Sequence, residues 1–328
     1  MSDGISTRVT RRGALGLAAG AAGLALGAPP LLAAAQKIRV GLPTKTWWPT
    51  VLAETAVAQG LFAKAGLDPE LTIYRSGGEA FEALAAGATD FTIGLVSQQG
   101  TGRKRGIMTK IVALGVEANT GWKLMVKPAS PIKSVADLAG KKVGITAAGS
   151  LSDFMALWTR SNAKVDFTSV PLGGGGLVPN LMSGNVDAAV VYSPLSFQMI
   201  QNGQAREILD YAKAIPPHLA SGWATTDKII NERKDLLRGA LQAMYGAVAY
   251  MQSNPAAAIK IIAEANSVPE AIAKQEYEET FLKLSKDGRF TLEQTKVAME
   301  LARIGGFDNL APAEEIVTMD FTPVSSSA

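Results

Sequence analysis

Gly77-Gly78 is followed by Leu84-Ala85-Ala86-Gly87-Ala88-Thr89-Asp90. The same pattern occurs 97 residues downstream, where Gly174-Gly175 is followed by Leu181-Met182-Ser183-Gly184-Asn185-Val186-Asp187. We call each copy a Gly-Gly repeat. In each, the paired glycines permit a tight turn where an extended segment ends, a short helix follows, and the Gly of Leu-x-x-Gly ends that helix. An apolar strand is predicted after the closing Asp. The pattern predicts two similar α/β units in tandem.

A second similarity lies upstream of each repeat, where Arg39-Val40-Gly41 and Lys142-Val143-Gly144 each begin a predicted strand, loop and helix. Residues 221–225 are interpreted as a return crossing. After it, apolar residues recur at helical spacing, so the rest of the chain is predicted to be helical. Two α/β lobes of this kind enclose a cleft suited to a ligand. The predicted divisions are a leader (1–35), the first part of lobe one (36–120), lobe two (121–221), and a return crossing with helices that complete lobe one (222–328).

The first 35 residues have the features of an export leader. Arg11-Arg12 precedes an apolar run from Ala14 to Leu32, and Ala33-Ala34-Ala35 offers small residues for cleavage. A membrane helix is the alternative, but the run consists mostly of Ala and Gly and carries Pro29-Pro30 near its end. The paired arginines predict a twin-arginine (Tat) signal and a mature protein in the periplasm.

Charge and cysteine content exclude several classes of function. The chain has 32 Lys and Arg against 29 Asp and Glu. This excess of positive charge is too small to indicate nucleic-acid binding. The chain has no Cys, hence no disulfide, thiolate nucleophile or thiolate metal site. We expect no metal and no cofactor. Gly173 to Gly176 has no Lys-Ser/Thr pair after it, so nucleotide hydrolysis has no support.

Several motifs in a fixed order carry a family resemblance. They are the twin-arginine leader, Val40-Gly41 with a Trp-bearing loop, Ser76-Gly77-Gly78, Gly87 to Asp90 with Ile93-Gly94, Ser134 to Ile145, and Gly184 to Val191. Together they resemble the periplasmic solute-binding proteins of sulfonate, taurine and nitrate ABC importers over the whole mature chain. The resemblance implies an α/β fold of the type II periplasmic binding protein class, with two Rossmann-like lobes joined by crossover strands, a helical C-terminal segment packing on lobe one, and hinge closure on a ligand.

The resemblance also implies partners and alternatives. A small-molecule solute and a membrane permease with a cytoplasmic ATPase are the implied partners, and we expect a monomer. A periplasmic sensor subunit is an alternative. A third is an enzyme like the pyrimidine synthases of thiamin biosynthesis, which use a Cys-rich motif and a reactive His. This chain has no Cys and one His, His218, which we expect at the surface or in a hinge.

Candidate ligand contacts come from the loops that follow the predicted strands, because ligands of open α/β sheets bind beyond the carboxyl ends of the strands. These candidates are Lys45, Trp47, Trp48, Ser76, Gly77, Gly78 and Ser97 in lobe one, and Thr146, Gly149, Ser150, Gly174, Gly175 and Tyr192 in lobe two.

Each kind of candidate has a chemical role and a structural alternative. Backbone N–H groups at helix starts can bind an oxyanion without a cation, and we expect them, rather than Lys45, to hold it. Trp47 and Trp48 offer flat walls or merely anchor a helix, and the small hydroxyls bind ligand or cap helices. A sulfonate or other small anion is favoured, and an aromatic acid or a pyrimidine stays open. Asp90 and Asp187 are expected to be structural.

Overall fold

The computed structural model describes residues 35–325, which form one compact unit; the predicted leader, apart from its last residue, lies outside the described residues. Within this range the strands, numbered in chain order, are β1 (Gln36–Pro43), β2 (Leu67–Tyr74), β3 (Phe91–Gly94), β4 (Thr109–Val116), β5 (Lys123–Val126), β6 (Lys142–Ile145), β7 (Thr168–Pro171), β8 (Ala188–Val191), β9 (Arg206–Asp210) and β10 (Ser221–Thr226). They form two five-stranded sheets, in the orders β2-β1-β3-β10-β4 and β7-β6-β8-β5-β9. We call each sheet with its helices a lobe.

The α-helices of the same range surround these sheets. They are α1 (Trp48–Ala58), α2 (Leu61–Lys64), α3 (Gly77–Ala85), α4 (Val96–Lys104), α5 (Leu151–Ala163), α6 (Leu177–Ser183), α7 (Leu195–Gln201), α8 (Tyr211–Ala214), α9 (Asp227–Glu232), α10 (Lys234–Ser253), α11 (Pro255–Asn266), α12 (Glu270–Glu279), α13 (Leu292–Ile304) and α14 (Ala313–Ile316). None of them is long and apolar enough to cross a membrane.

The two Gly-Gly repeats adopt equivalent structures. Gly87 and Gly184 take left-handed φ values of 70° and 83° just after α3 and at the end of α6, where a side chain would be strained. In lobe one the Asp90 carboxylate accepts the Arg39 N–H at 3.0 Å, and in lobe two the Asp187 carboxylate accepts the Lys142 N–H at 2.8 Å. Each Asp thus joins the start of one strand to its parallel neighbour, which confirms the predicted structural role.

The two sheets share one topology, with parallel strands at one side and one antiparallel strand inserted before the last. That inserted strand is β10 in lobe one and β5 in lobe two, and each arrives directly from the other lobe. The crossings occupy residues 117–122 and 215–220, and the His218 N–H donates to the Glu117 carbonyl between them at 2.8 Å. The α/β fold with crossover strands is therefore confirmed. The exact domain boundaries stay a prediction.

The C-terminal helices pack more widely than predicted. α10 lies on α1 and α2 of lobe one as expected, but α13 contacts both α4 and α5, and α12 contacts α7 of lobe two. The segment 48–64 forms two helices, α1 and α2, because Gly60 adopts a left-handed φ of 65° between them. The C-terminal helices thus contact both lobes, on the side of the crossings.

Candidate functional site

A narrow cavity lies between the lobes, where β1, β3, β6 and β8 end. Its lining comes from strand ends, helix starts and one crossing, and consists of Pro43, Thr44, Trp47, Gly77, Ile93, Gly94, Leu95, Gln98, Trp122, Thr146, Ser150, Leu151, Tyr192 and Ser221. This is the place predicted for a ligand, beyond the carboxyl ends of the strands.

Four helices begin at this cavity. Trp47, Leu95 and Ser150 are the N-cap residues of α1, α4 and α5, and Gly77 is the first residue of α3. The first N–H groups of a helix have no acceptor within it, and the helix start carries a partial positive charge. Four such starts at one cavity favour a negatively charged group there.

Aromatic rings form one wall of the cavity. The Trp47 and Trp122 rings meet edge to face, with centroids 5.5 Å apart, and Trp122 lies 5.4 Å from the Tyr192 ring. Tyr192 donates or accepts a hydrogen bond with Thr46 across the lobes, at 3.0 Å between hydroxyl oxygens. Burial raises the pKa of the Tyr192 hydroxyl, which therefore stays neutral.

The polar groups of the lining carry no formal charge. Thr146 and Ser150 share their hydroxyl hydrogen bonds with Ser152, so their polar atoms are largely satisfied within the protein. The Ser221 hydroxyl is fully buried and has no hydrogen-bond partner among the described residues. Because an unpartnered buried hydroxyl is costly, Ser221 marks a position where a ligand can supply the missing partner.

A basic groove adjoins the cavity on the far side of Thr44 and Tyr192. Its volume is about 450 Å³, and its wall includes Lys45, Arg75 and the glycines 173–176. Lys45 is exposed, and Arg75 forms an ion pair with Glu79 at 2.7 Å. The cations of this region therefore face the groove rather than the cavity.

The structure brings five of the predicted site residues into the cavity lining, namely Trp47, Gly77, Thr146, Ser150 and Tyr192. Lys45, Gly174 and Gly175 lie on the basic groove instead. Trp48 points into the core of lobe one, where its ring packs edge to face on Trp223.

The remaining predicted residues have structural contacts. The Ser76 hydroxyl accepts the Glu79 N–H and caps α3, and Ser97 is buried on α4 outside the lining. Gly149 takes a left-handed φ of 71° and donates its N–H to Asp153. Gly78 is not in the lining but lies against the other lobe.

Gly78 and Gly174 permit the lobes to approach closely. A β-carbon added to Gly78 of lobe one would lie 2.7 Å from the carbonyl oxygen of Ala148 in lobe two. One added to Gly174 of lobe two would lie 2.3 Å from Cγ2 of Thr44 in lobe one. Gly175, by contrast, has no atom within 4 Å of such a β-carbon. In each Gly-Gly repeat, one glycine thus serves contact between the lobes.

Direct hydrogen bonds accompany this approach. Gln98 of α4 donates through Nε2 to the Gly149 carbonyl at 2.9 Å, and its Oε1 accepts the Leu95 N–H at 2.9 Å. On the groove side, the Gly174 N–H donates to the Arg75 carbonyl at 2.9 Å. The Gly174 amide, predicted to bind an anion, is therefore occupied by the other lobe in this conformation.

Sequence reasoning missed Gln98, Trp122 and Ser221 as site residues. Trp122 ends the first crossing and Ser221 begins β10 directly after the second, so neither belongs to a loop that follows a predicted strand. Gln98 does follow a predicted strand, in the first turn of α4, but was not among the candidates. The one available signal was the position of Trp122 and Ser221 at the two predicted lobe boundaries.

His218 lies in the crossing 215–220, where its ring is buried and Nδ1 is 2.8 Å from the Pro216 carbonyl oxygen. Burial lowers the pKa of this imidazole, which is therefore neutral. The expected hinge position is correct, whereas the surface position is wrong. His218 is not part of the cavity lining.

Known proteins share this sequence pattern and fold. A protein of Brucella abortus (strain 2308), named as a binding protein, is 26% identical over 262 residues, which is 76% of this chain and 80% of the relative. The alkanesulfonate-binding protein SsuA from Xanthomonas axonopodis pv. citri, solved bound to MOPS, superposes with a TM-score of 0.74 at 16% identity, covering 86% of this chain and 98% of the other. The periplasmic nitrate-binding protein NrtA from Synechocystis PCC 6803 gives a TM-score of 0.70 at 15% identity, covering 87% of each chain.

These structures have the periplasmic binding protein fold that the resemblance implied. A family model described as NMT1/THI5 like matches residues 53–258 of this chain, a segment that includes most of both sheets and both crossings. Because this match spans more than half of the sequence, the chain belongs to the NMT1/THI5-like family.

Proposed function

We propose that this protein is the solute-binding component of an ABC importer, which captures a small organic anion between its lobes and delivers it to a permease with a cytoplasmic ATPase. The observation that carries the proposal is the cavity at which α1, α3, α4 and α5 all begin and whose lining contains no charged side chain. Such a site stabilises one buried negative charge through backbone N–H groups.

Closure of the lobes supplies the transport signal in this proposal. The bonds Gln98 to Gly149 and Thr46 to Tyr192, which join the lobes beside the cavity, form only when the lobes meet. A solute that contacts both lobes stabilises the closed form by its differential affinity for that form. The permease then recognises the closed surface.

The relatives support this proposal by what they bind. One structural neighbour is an alkanesulfonate-binding protein and another a nitrate-binding protein, and both ligand classes are anions. Binding is also the function for which the Brucella relative is named. From them we infer only the class of ligand, a small anionic solute, and not a particular compound.

Binding and closure can be measured together on the mature chain, residues 36–328. A small organic anion that binds is expected to reduce the radius of gyration in X-ray scattering. It should also raise the melting temperature with concentration, corresponding to about 2.7 kcal/mol of stabilisation at a hundred times Kd. Sulfonates, nitrate, carboxylates and pyrimidines form the test set. Turnover of a compound without closure would contradict the proposal and favour an enzyme.

We also propose export to the periplasm through the Tat pathway, based on Arg11 and Arg12 ahead of the apolar run. Replacing both with Lys retains the positive charge but removes the paired arginines that distinguish this leader. We expect the R11K/R12K precursor to remain in the cytoplasm, measured by fractionation and immunoblotting. Undiminished periplasmic protein would contradict the Tat assignment and leave general secretion as the route.

A further inference from the structure

We propose that the solute is an aromatic monoanion of a single ring, such as an arenecarboxylate or an arenesulfonate. This inference rests on the proposed function and narrows it. The proposed ring lies against Trp47, Trp122 and Tyr192, and its acidic group faces the starts of α1, α3, α4 and α5.

The aromatic wall is the first step of the argument. Trp47 comes from lobe one, Tyr192 from lobe two, and Trp122 from the crossing between them, so one ligand ring can contact both lobes and the hinge. The protein rings already meet edge to face and tilted, which are the arrangements that aromatic pairs prefer. A flat ring continues this packing, whereas a short alkyl chain leaves most of the wall without contacts.

The charge of the ligand follows from the lining. Among the lining residues there is no Lys, Arg or His to neutralise a second negative charge, and no Asp or Glu to pair with a cation. Four helix starts supply only partial positive charges, which suit one delocalised anion. A dianion would bury one charge without a partner, and a cationic ligand would face four positive helix ends.

The buried hydroxyl of Ser221 provides a second and independent observation. It lies in the lining, is fully buried, and has no hydrogen-bond partner in the part of the chain that the structure describes. Because buried polar groups are nearly always hydrogen-bonded, this hydroxyl indicates a ligand oxygen or nitrogen.

Matched probes test the ring and the charge separately, with the unmodified mature protein and isothermal calorimetry. Benzenesulfonate and ethanesulfonate share the acidic group and differ in the ring; benzoate and benzamide share the ring and differ in the charge. We expect each aromatic anion to bind at least tenfold more tightly than its partner probe. Ethanesulfonate binding as tightly as benzenesulfonate would overturn the aromatic class and leave the proposed function intact. Benzamide binding as tightly as benzoate would show that the negative charge of the solute is not required.

Variants locate the ring on the protein. Trp122→Leu is expected to weaken benzenesulfonate binding at least tenfold and ethanesulfonate binding less than twofold. Trp158→Leu is the matched control, because Trp158 is similarly buried on α5 but lies outside the lining. Equal losses for both probes in Trp122→Leu would overturn the ring position. If none of the anions binds the unmodified protein, the proposed function itself fails, and the inference fails with it.

Discussion

Gly78→Ala is expected to weaken solute binding by roughly ten- to a hundredfold while leaving the protein folded. The added methyl group would lie 2.7 Å from the Ala148 carbonyl oxygen of the other lobe, well inside van der Waals contact. Overpacking of this kind costs about 1–3 kcal/mol, and here only the closed form bears that cost. Gly78 lies in the first turn of α3, where Ala favours the helix more than Gly does, so the unfolding free energy should not fall.

Gly175→Ala is the matched control for this substitution. It replaces a glycine of the other Gly-Gly repeat, but the added methyl group has no atom within 4 Å. We expect near-native affinity by calorimetry for Gly175→Ala. For Gly78→Ala, we expect the radius of gyration to decrease only at roughly ten- to a hundredfold higher solute concentration than in the unmodified protein. Native affinity in Gly78→Ala would show that the contact with Ala148 is dispensable for binding.

The sequence predicted the fold because its signals are local and occur twice. Gly87 and Gly184 require a left-handed conformation at helix ends, and Asp90 and Asp187 each join two parallel strands. The glycine conformations depend only on neighbouring residues, and each aspartate recurs at the same place in its unit, so the repeated pattern of glycine, apolar run and aspartate predicts two equivalent α/β units. The C-terminal helices carry no such repeat, which explains why the contacts of α12 and α13 with lobe two were not predicted.

The candidate site was predictable at the level of loops but not of side chains. Trp47 and Trp48 are neighbours in sequence, yet one faces the cavity and the other packs on Trp223, because the first caps α1 and the second already belongs to it. Lys45 has the charge expected of an anion site, but its exposed loop position directs it to the groove. Trp122 joins the lining only because a crossing passes the cavity, which is a property of the assembled lobes.

The glycines illustrate the same limit. Their presence at helix starts suggested amides for an anion, and Gly77 does line the cavity. The neighbouring Gly78 and the distant Gly174 instead allow backbone of one lobe to touch the other. A contact between lobes has no local signature in either repeat, since it depends on residues from two parts of the chain that meet only on closure.

Glu276→Gln is expected to stabilise the protein at alkaline pH and to flatten the dependence of its stability on pH. Glu276 lies on α12 and is almost fully buried; its Oε2 accepts the Thr280 hydroxyl at 3.1 Å, while Oε1 has no partner among the described residues. Burial raises the pKa of this carboxyl from its usual value of 4.5 to about 8, although the hydrogen bond from Thr280 lowers it in part. The folded protein therefore holds this side chain protonated and neutral at pH 7.

The sign of the pH dependence follows from proton binding. Between pH 4.5 and 8 the folded state keeps the Glu276 proton and the unfolded state loses it, so the free energy of unfolding falls as pH rises. The slope from this one group is at most about 1.4 kcal/mol per pH unit. Gln cannot ionise, so the stability difference between Glu276→Gln and the unmodified protein should grow across this range, measured by urea unfolding at pH 5, 6, 7 and 8.

Glu278→Gln is the control, because Glu278 lies exposed on the same helix beside Lys274 and its substitution should leave the pH profile of stability unchanged. Parallel profiles for Glu276→Gln and the unmodified protein would mean that Glu276 ionises near its usual pKa, which requires water or a cation to reach Oε1 where α12 meets lobe two.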